Sequence, residues 1–238
     1  MRVVVRLDGR ESEGGSALLC HNERLSDPLD PFNQSLAEIS SKRKKTLADH
    51  LELGRREFLG GLYTNGNGPC IPSMNVLRCI EEGAKRHRRG KDVIRGMFPL
   101  TEETDLLYEG PRDPDELWRQ AETFSLRKGV VVSGRRIIRT RPLFREWQLE
   151  VPFQVDAEVL NFEDVSKIVT EAGIYAGLGD MRPIYGRFLG TVLSEEEWLR
   201  QPDGDLTSAW GANRASIERV LKADAKRKDM NGPKRGKK

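Results

Sequence analysis

The sequence predicts an α+β fold in which an antiparallel sheet carries helices on one face. Three observations lead there. The chain opens as Met1-Arg-Val-Val-Val-Arg-Leu-Asp8, where Val3, Val5 and Leu7 share one face by the two-residue period of a strand. Two later segments place apolar residues at helical spacing: Val76, Leu77, Ile80 and Ala84, then Val165, Ile168, Val169 and Ala172. Strand patterns surround both segments, and no repeat of 20 to 50 residues is present.

Taken in order, the first strand leaves Arg2, Val4 and Arg6 on its second face, which is expected to be open to solvent or ligand. An irregular stretch follows, broken by Gly14-Gly15, Asp27-Pro28 and Asp30-Pro31. A helix is expected from near Gln34, and Thr46 with Asp49 forms a capping-box signal for another through Phe58. Leu62-Tyr63 reads as a short strand entering the turn Asn65-Gly-Asn-Gly68. Ser73 is expected to cap the next helix, which ends in Lys85-Arg-His-Arg-Arg89.

Val93–Phe98 and Leu106–Tyr108 read as strands, and Asp113-Pro-Asp-Glu116 starts a short helix. Gly129–Arg141 reads as a β-hairpin turning at Ser133-Gly134, with Arg135, Arg139 and Arg141 on one strand face. Leu149, Val151, Phe153 and Val155 alternate as a longer strand. Asn161 with Asp164 then caps a helix expected to finish at Gly173, and Ile184–Val192 supplies a last strand. A final helix is expected through Ile217, Val220 and Leu221.

Composition narrows the function. No apolar run approaches the roughly 18 residues of a membrane span, and the start lacks a signal-peptide core, so a cytoplasmic product without membrane partners is expected. Cys20, Cys70 and Cys79 form no C-x-x-C pair, and His21, His50 and His87 stand in no metal-binding motif. No cofactor or metal is implied. Of the net charge of +3, residues 221 to 238 carry eight lysines and arginines against two aspartates, a tail suited to polyanions.

Between the Asn161 helix and the last strand lies Gly177-Leu-Gly-Asp-Met-Arg-Pro-Ile-Tyr-Gly-Arg-Phe188. It is no dinucleotide fingerprint, because Arg182 stands where the third glycine belongs and the flanking order is reversed; no P-loop motif occurs either. Its glycines are expected to expose main-chain N–H groups, while Arg182 and Arg187 add guanidinium forks.

Gly177, Gly179, Gly186 and Phe188, in that position, resemble the glycine-loop signature of the RAMP superfamily, the RNA-binding and RNA-processing subunits of CRISPR effector systems. Ile71-Pro-Ser-Met-Asn75 is similar to the Ile-Pro-small segment of its backbone subunits. A strict second G-x-G would need glycine where Phe188 stands. The chain also looks like uncharacterised bacteriophage and prophage proteins. The resemblance implies a ferredoxin-like, RRM-like core with long insertions, and assembly along a nucleic-acid strand as an oligomer or within a multi-subunit ribonucleoprotein.

The expected organisation is a core over 1–195 with insertions at about 10–125, a helical segment over 196–222 and a basic mobile tail over 223–238. The expected function is binding of single-stranded nucleic acid, RNA in preference to DNA, through phosphate contacts and stacking. The candidate residues are Arg135, Arg139 and Arg141 on the hairpin; Gly177, Gly179, Arg182, Tyr185, Gly186 and Arg187 in the loop; and Lys85, Arg86, Arg88 and Arg89. No catalytic residue is assigned. The alternatives are a metal-independent endoribonuclease, for which His21 as general base or Asp27 are the candidates, and a phage structural or assembly protein.

Overall fold

A computed structural model describes residues 1–132, 134–201 and 213–222. Ser133, Trp210 and the basic tail over 223–238 lie outside the described residues.

Four strands form the central sheet: β1 (Arg2–Asp8), β2 (Met97–Pro99), β3 (Gln148–Val155) and β4 (Leu189–Ser194). The core helix α1 (Ser73–Lys85) joins β1 to β2, and α2 (Phe162–Glu171) joins β3 to β4. The spatial order is β4-β1-β3-β2 with every neighbouring pair antiparallel, which is the ferredoxin-like arrangement. Register follows from the apolar alternation. Val3 faces Phe153, Val5 faces Val151 and Leu7 faces Leu149, all six buried beneath the helices. The Val76, Leu77, Ile80 and Ala84 stripe of α1 meets them, beside Val165, Ile168 and Val169 of α2. Each of these valine, leucine, isoleucine and phenylalanine side chains contributes about 1.5–3 kcal/mol on burial. Asn161 and Asp164 form the expected capping box of α2, as do Thr46 and Asp49 for helix Leu47–Gly61.

Two insertions decorate this core. Residues 9–72 contain helices Pro31–Ser40 and Leu47–Gly61, and residues 100–147 contain a long hairpin of Ser125–Val132 and Arg135–Phe144. The hairpin belongs to a separate sheet, where Leu18–Leu19 pairs with its second strand. Helix Leu47–Gly61 packs along that strand. Beyond Thr140 towards the turn, none of the hairpin side chains described is buried.

Several expectations are corrected. Asp30 caps a helix that begins at Pro31, so the Asp-Pro pair starts a helix there instead of breaking one. Leu62-Tyr63 is not strand; Thr64–Asn65 is. Val93 lies in helix Gly90–Gly96, its spacing of four from Met97 serving a helical turn before β2 begins. Glu103–Asp105 is strand, whereas Leu106–Tyr108 contributes only an isolated bridge from Leu107 to Gln148. α2 does not stop at Gly173 but runs into a π-helical turn, Ala172–Ala176. Ile184 belongs to the loop, and β4 starts at Leu189.

The second face of the sheet is not open. Helix Glu195–Arg200 and the helix over 213–222 lie against it, burying Trp198, Ile217 and Leu221 with Val4. Arg6 and Trp198 both donate to the Glu150 carboxylate, Arg6 Nε at 2.8 Å and Trp198 Nε1 at 3.1 Å. Arg2 donates to the Leu221 carbonyl at 2.8 Å. Burying arginine is costly unless its donors are paired, and Glu150 of β3 together with Glu195, Gln201 and the Leu221 carbonyl of the covering segment meet that need.

Candidate nucleic-acid interface

The glycine loop is fixed by contact with the chain at residues 16–19. Gly186 has φ +76°, and a Cβ there would stand 1.7 Å from the Leu178 carbonyl oxygen; a Cβ at Gly179, φ +83°, would stand 2.4 Å from that of Leu19. Only glycine fits both demands. The backbone N–H of Leu178 donates to Gly186 O, that of Gly186 to Ala17 O and that of Asp180 to Leu19 O, each at 2.8 Å. Arg187 N–H donates to Ser16 Oγ at 2.9 Å. These main-chain donors serve the fold, contrary to the expectation that the loop offers them to a ligand. What it turns outward are side chains: Arg182, Ile184 and Arg187 are exposed.

Two cation–ring stacks flank the loop. The Arg86 guanidinium lies 3.8 Å from the centroid of Tyr175, and Lys128 Nζ lies 5.5 Å from that of Tyr185. Tyr175 is held out by the π-helical turn and is half exposed. Lys128 stands opposite Arg139 across the hairpin. Arg182, Arg187 and Arg88 have no ion pair or side-chain hydrogen bond among the described residues, and Arg88 adopts φ +62° where the chain leaves α1.

Other members of the expected cation clusters are neutralised. Arg139 pairs with Glu57, and Arg141 with Asp180 at 2.6 Å, so the hairpin arginines do not form a free stripe. The Arg135 side chain lies outside what the structure describes. Lys85 pairs with Glu82 and Glu81. Arg89 bridges Asp92 and Asp164 and donates to Val159 O, tying the end of α1 to the cap of α2. Glu57, Asp180 and Asp164 come from distant parts of the chain, which a local reading of charge does not detect, whereas Glu81, Glu82 and Asp92 lie within a helical turn of their partners.

Beside the loop lies a cleft of about 230 Å³, lined by His21, Tyr63, Asn75, Arg78, Asp180 and Arg182 among others. His21 Nδ1 lies 2.9 Å from Arg141 Nη1. Guanidinium only donates, so Nδ1 must accept and the ring proton sits on Nε2. Burial pushes the His21 pKa down, and the Arg141 charge adds to that. The neutral imidazole therefore presents a donor and has no lone pair left for general-base work. Asp27 does not line the cleft; its carboxylate caps Leu29 N–H at 2.9 Å. Burial pushes the Cys20 and Cys79 thiols up to about 12, leaving them protonated and unreactive.

Among the described residues no group of three or more His, Cys, Asp or Glu could hold a metal ion, and no helix is long and apolar enough to cross a membrane. Sequence reasoning missed Tyr175, Lys128, Asn75 and Arg78. Asn75 and Arg78 stand three apart on α1, a spacing that places them on one helix face, but nothing local shows that the glycine loop meets that face. Comparison with protein-family models and with curated protein sequences finds no match for this chain.

Proposed function

We propose that this protein binds single-stranded nucleic acid, RNA in preference to DNA, across the edge formed by the glycine loop, the end of α1 and the long hairpin. One observation carries the reading: the exposed Arg182, without an ion-pair partner among the described residues, lies on a loop flanked by two cation–tyrosine stacks, Arg86 with Tyr175 and Lys128 with Tyr185. Single strands are held by cations that follow the phosphates and by flat groups on which bases stack, and both are present at this edge. The ferredoxin-like topology together with a glycine loop between α2 and β4 supports the proposed relationship to the RAMP superfamily. His21, as an Nε2–H donor, favours binding over cleavage.

The test is fluorescence anisotropy of the full chain with labelled single-stranded RNA, single-stranded DNA and duplex of one sequence over a salt series. Binding of single strands ahead of duplex, with affinity falling steeply as salt rises, is expected. No binding at low salt refutes the proposal.

A further inference from the structure

We infer that the cleft beside the glycine loop is a phosphate-binding subsite, in which Arg182, Arg78, Asn75 and the Nε2–H of His21 hold the oxyanion of a phosphate ester. The inference rests on the reading above for the source of that ester, and it assigns a set of residues none of which belongs to the two stacks.

Donor chemistry is what singles out the cleft. Arg182 brings a guanidinium with no carboxylate partner among the described residues. Arg78 brings a second, paired among the described residues only with Glu81, at 2.7 Å on an exposed helix face where water screens the pair. Asn75 adds an amide, which also hydrogen-bonds the Tyr63 hydroxyl beside it. His21 adds an N–H whose position is fixed from behind by Arg141, and its Nε2 has no partner among the described residues. The single acid at the wall, Asp180, is engaged with Arg141. A cavity lined by these donors, whose carboxylate is already paired with Arg141, suits a multiply accepting anion better than a cation or an apolar group.

Size agrees with this. The volume of about 230 Å³ lies below the ~300 Å³ at which pockets for whole small molecules begin. A phosphate with its adjoining sugar fits better than a complete nucleotide. The ester could be an internal phosphodiester or the monoester at a strand end, since both present the same oxygens.

The experiment uses the full chain with 15N-labelled histidine, following the His21 ring nitrogens by NMR while inorganic phosphate is added at constant ionic strength against chloride. A saturable shift at Nε2 is expected, with affinity weakened at least tenfold in Arg182→Ala. By calorimetry, phosphate binding should persist in His21→Gln, which keeps an N–H, and fall in His21→Leu. Absence of a saturable shift, or equal affinity in wild type and Arg182→Ala, overturns the subsite. Oligonucleotides with and without a 5′-phosphate form the second arm. Perturbation of His21 by both identifies the internal ester, and perturbation by the phosphorylated strand alone identifies the end. Oligonucleotide binding that leaves His21 unmoved refutes the subsite and spares the strand-binding reading; a phosphate response without any oligonucleotide binding does the reverse.

Discussion

Glu57 and Arg139 fasten the long hairpin to the helix beside it: one Glu57 oxygen accepts from Arg139 Nη1, and the other accepts from the Thr140 backbone N–H at 2.8 Å. Glu57 is buried, while the Arg139 side chain remains 37% exposed. Removing the carboxylate leaves a buried N–H unpaired and a cation stranded at the hairpin root. Glu57→Ala should cost about 2 kcal/mol, discounted for the exposure of Arg139. Glu57→Gln should cost less, because its carbonyl still accepts from Thr140. Urea denaturation with a common slope checks both.

Gly186→Ala should destabilise the fold severely, because its Cβ would overlap the Leu178 carbonyl. Gly14 shares the positive φ, at +78°, but a Cβ there meets nothing within 4 Å. Gly14→Ala isolates the backbone strain alone and should cost about 1 kcal/mol. Thermal unfolding of the two variants separates overlap from strain.

Arg182 and Arg187 are exposed and have no ion-pair partner among the described residues, so reversing their charge should leave the melting temperature within a few degrees of wild type. Oligonucleotide affinity in the double variant should fall at least tenfold at low salt, with a shallower salt slope. Reversing Arg139 instead should cost stability first, since Glu57 then faces a second acid.

The imidazole of His21 is held neutral by burial and by Arg141, with Arg139 acting in the same sense and Asp180 opposing them. Its folded pKa lies below the ordinary value of 6.5, so between the two values the unfolded chain binds more protons. The His21 contribution to stability is thus complete above pH 6.5 and is lost as pH falls through the folded pKa. Wild type should lose stability faster than His21→Gln when unfolding is followed from pH 7 to pH 5. Equal slopes would contradict this assignment of the proton.

Cys20, Cys70 and Cys79 are buried free thiols, and burial raises the pKa of each. A thiol–disulfide probe at pH 8 should react with none of them in the native protein and with all three in denaturant.

Much of the sheet was legible because its signals are local. Alternation in Val3, Val5 and Leu7 and in Leu149 to Val155 marked the two central strands, and Asn161 with Asp164 marked the start of α2. Elements without such a signal were misread. Val93 and Met97 satisfy a helical turn and a strand end in one short apolar run, and only the arrival of β3 at Met97 decides between them. The interface was legible in its glycines and in Arg182, yet the charges around it were misjudged. Arg141 finds Asp180, and Arg139 finds Glu57, across gaps that close only in the folded chain. The cover over Arg2, Val4 and Arg6 escaped notice for the same reason, because an arginine alternating with valine on a strand looks the same whether it meets water or a buried glutamate.

The central position of β1 sets the order in which this protein can fold as it is synthesised. β1 occupies residues 2–8, but its neighbours β3 and β4 lie at residues 148–155 and 189–194. Until those segments leave the ribosome, one of the most apolar stretches of the chain has no strand to pair with. The α1 and helix–hairpin regions can gather early, whereas the sheet closes only after Ser194 emerges and is covered later still by the helix over 213–222. Such wide sequence separations slow folding and prolong the exposure of sticky surface. A ribosome-stalled series should show protease protection of β1 appearing abruptly, only at lengths that carry Ser194 clear of the exit tunnel.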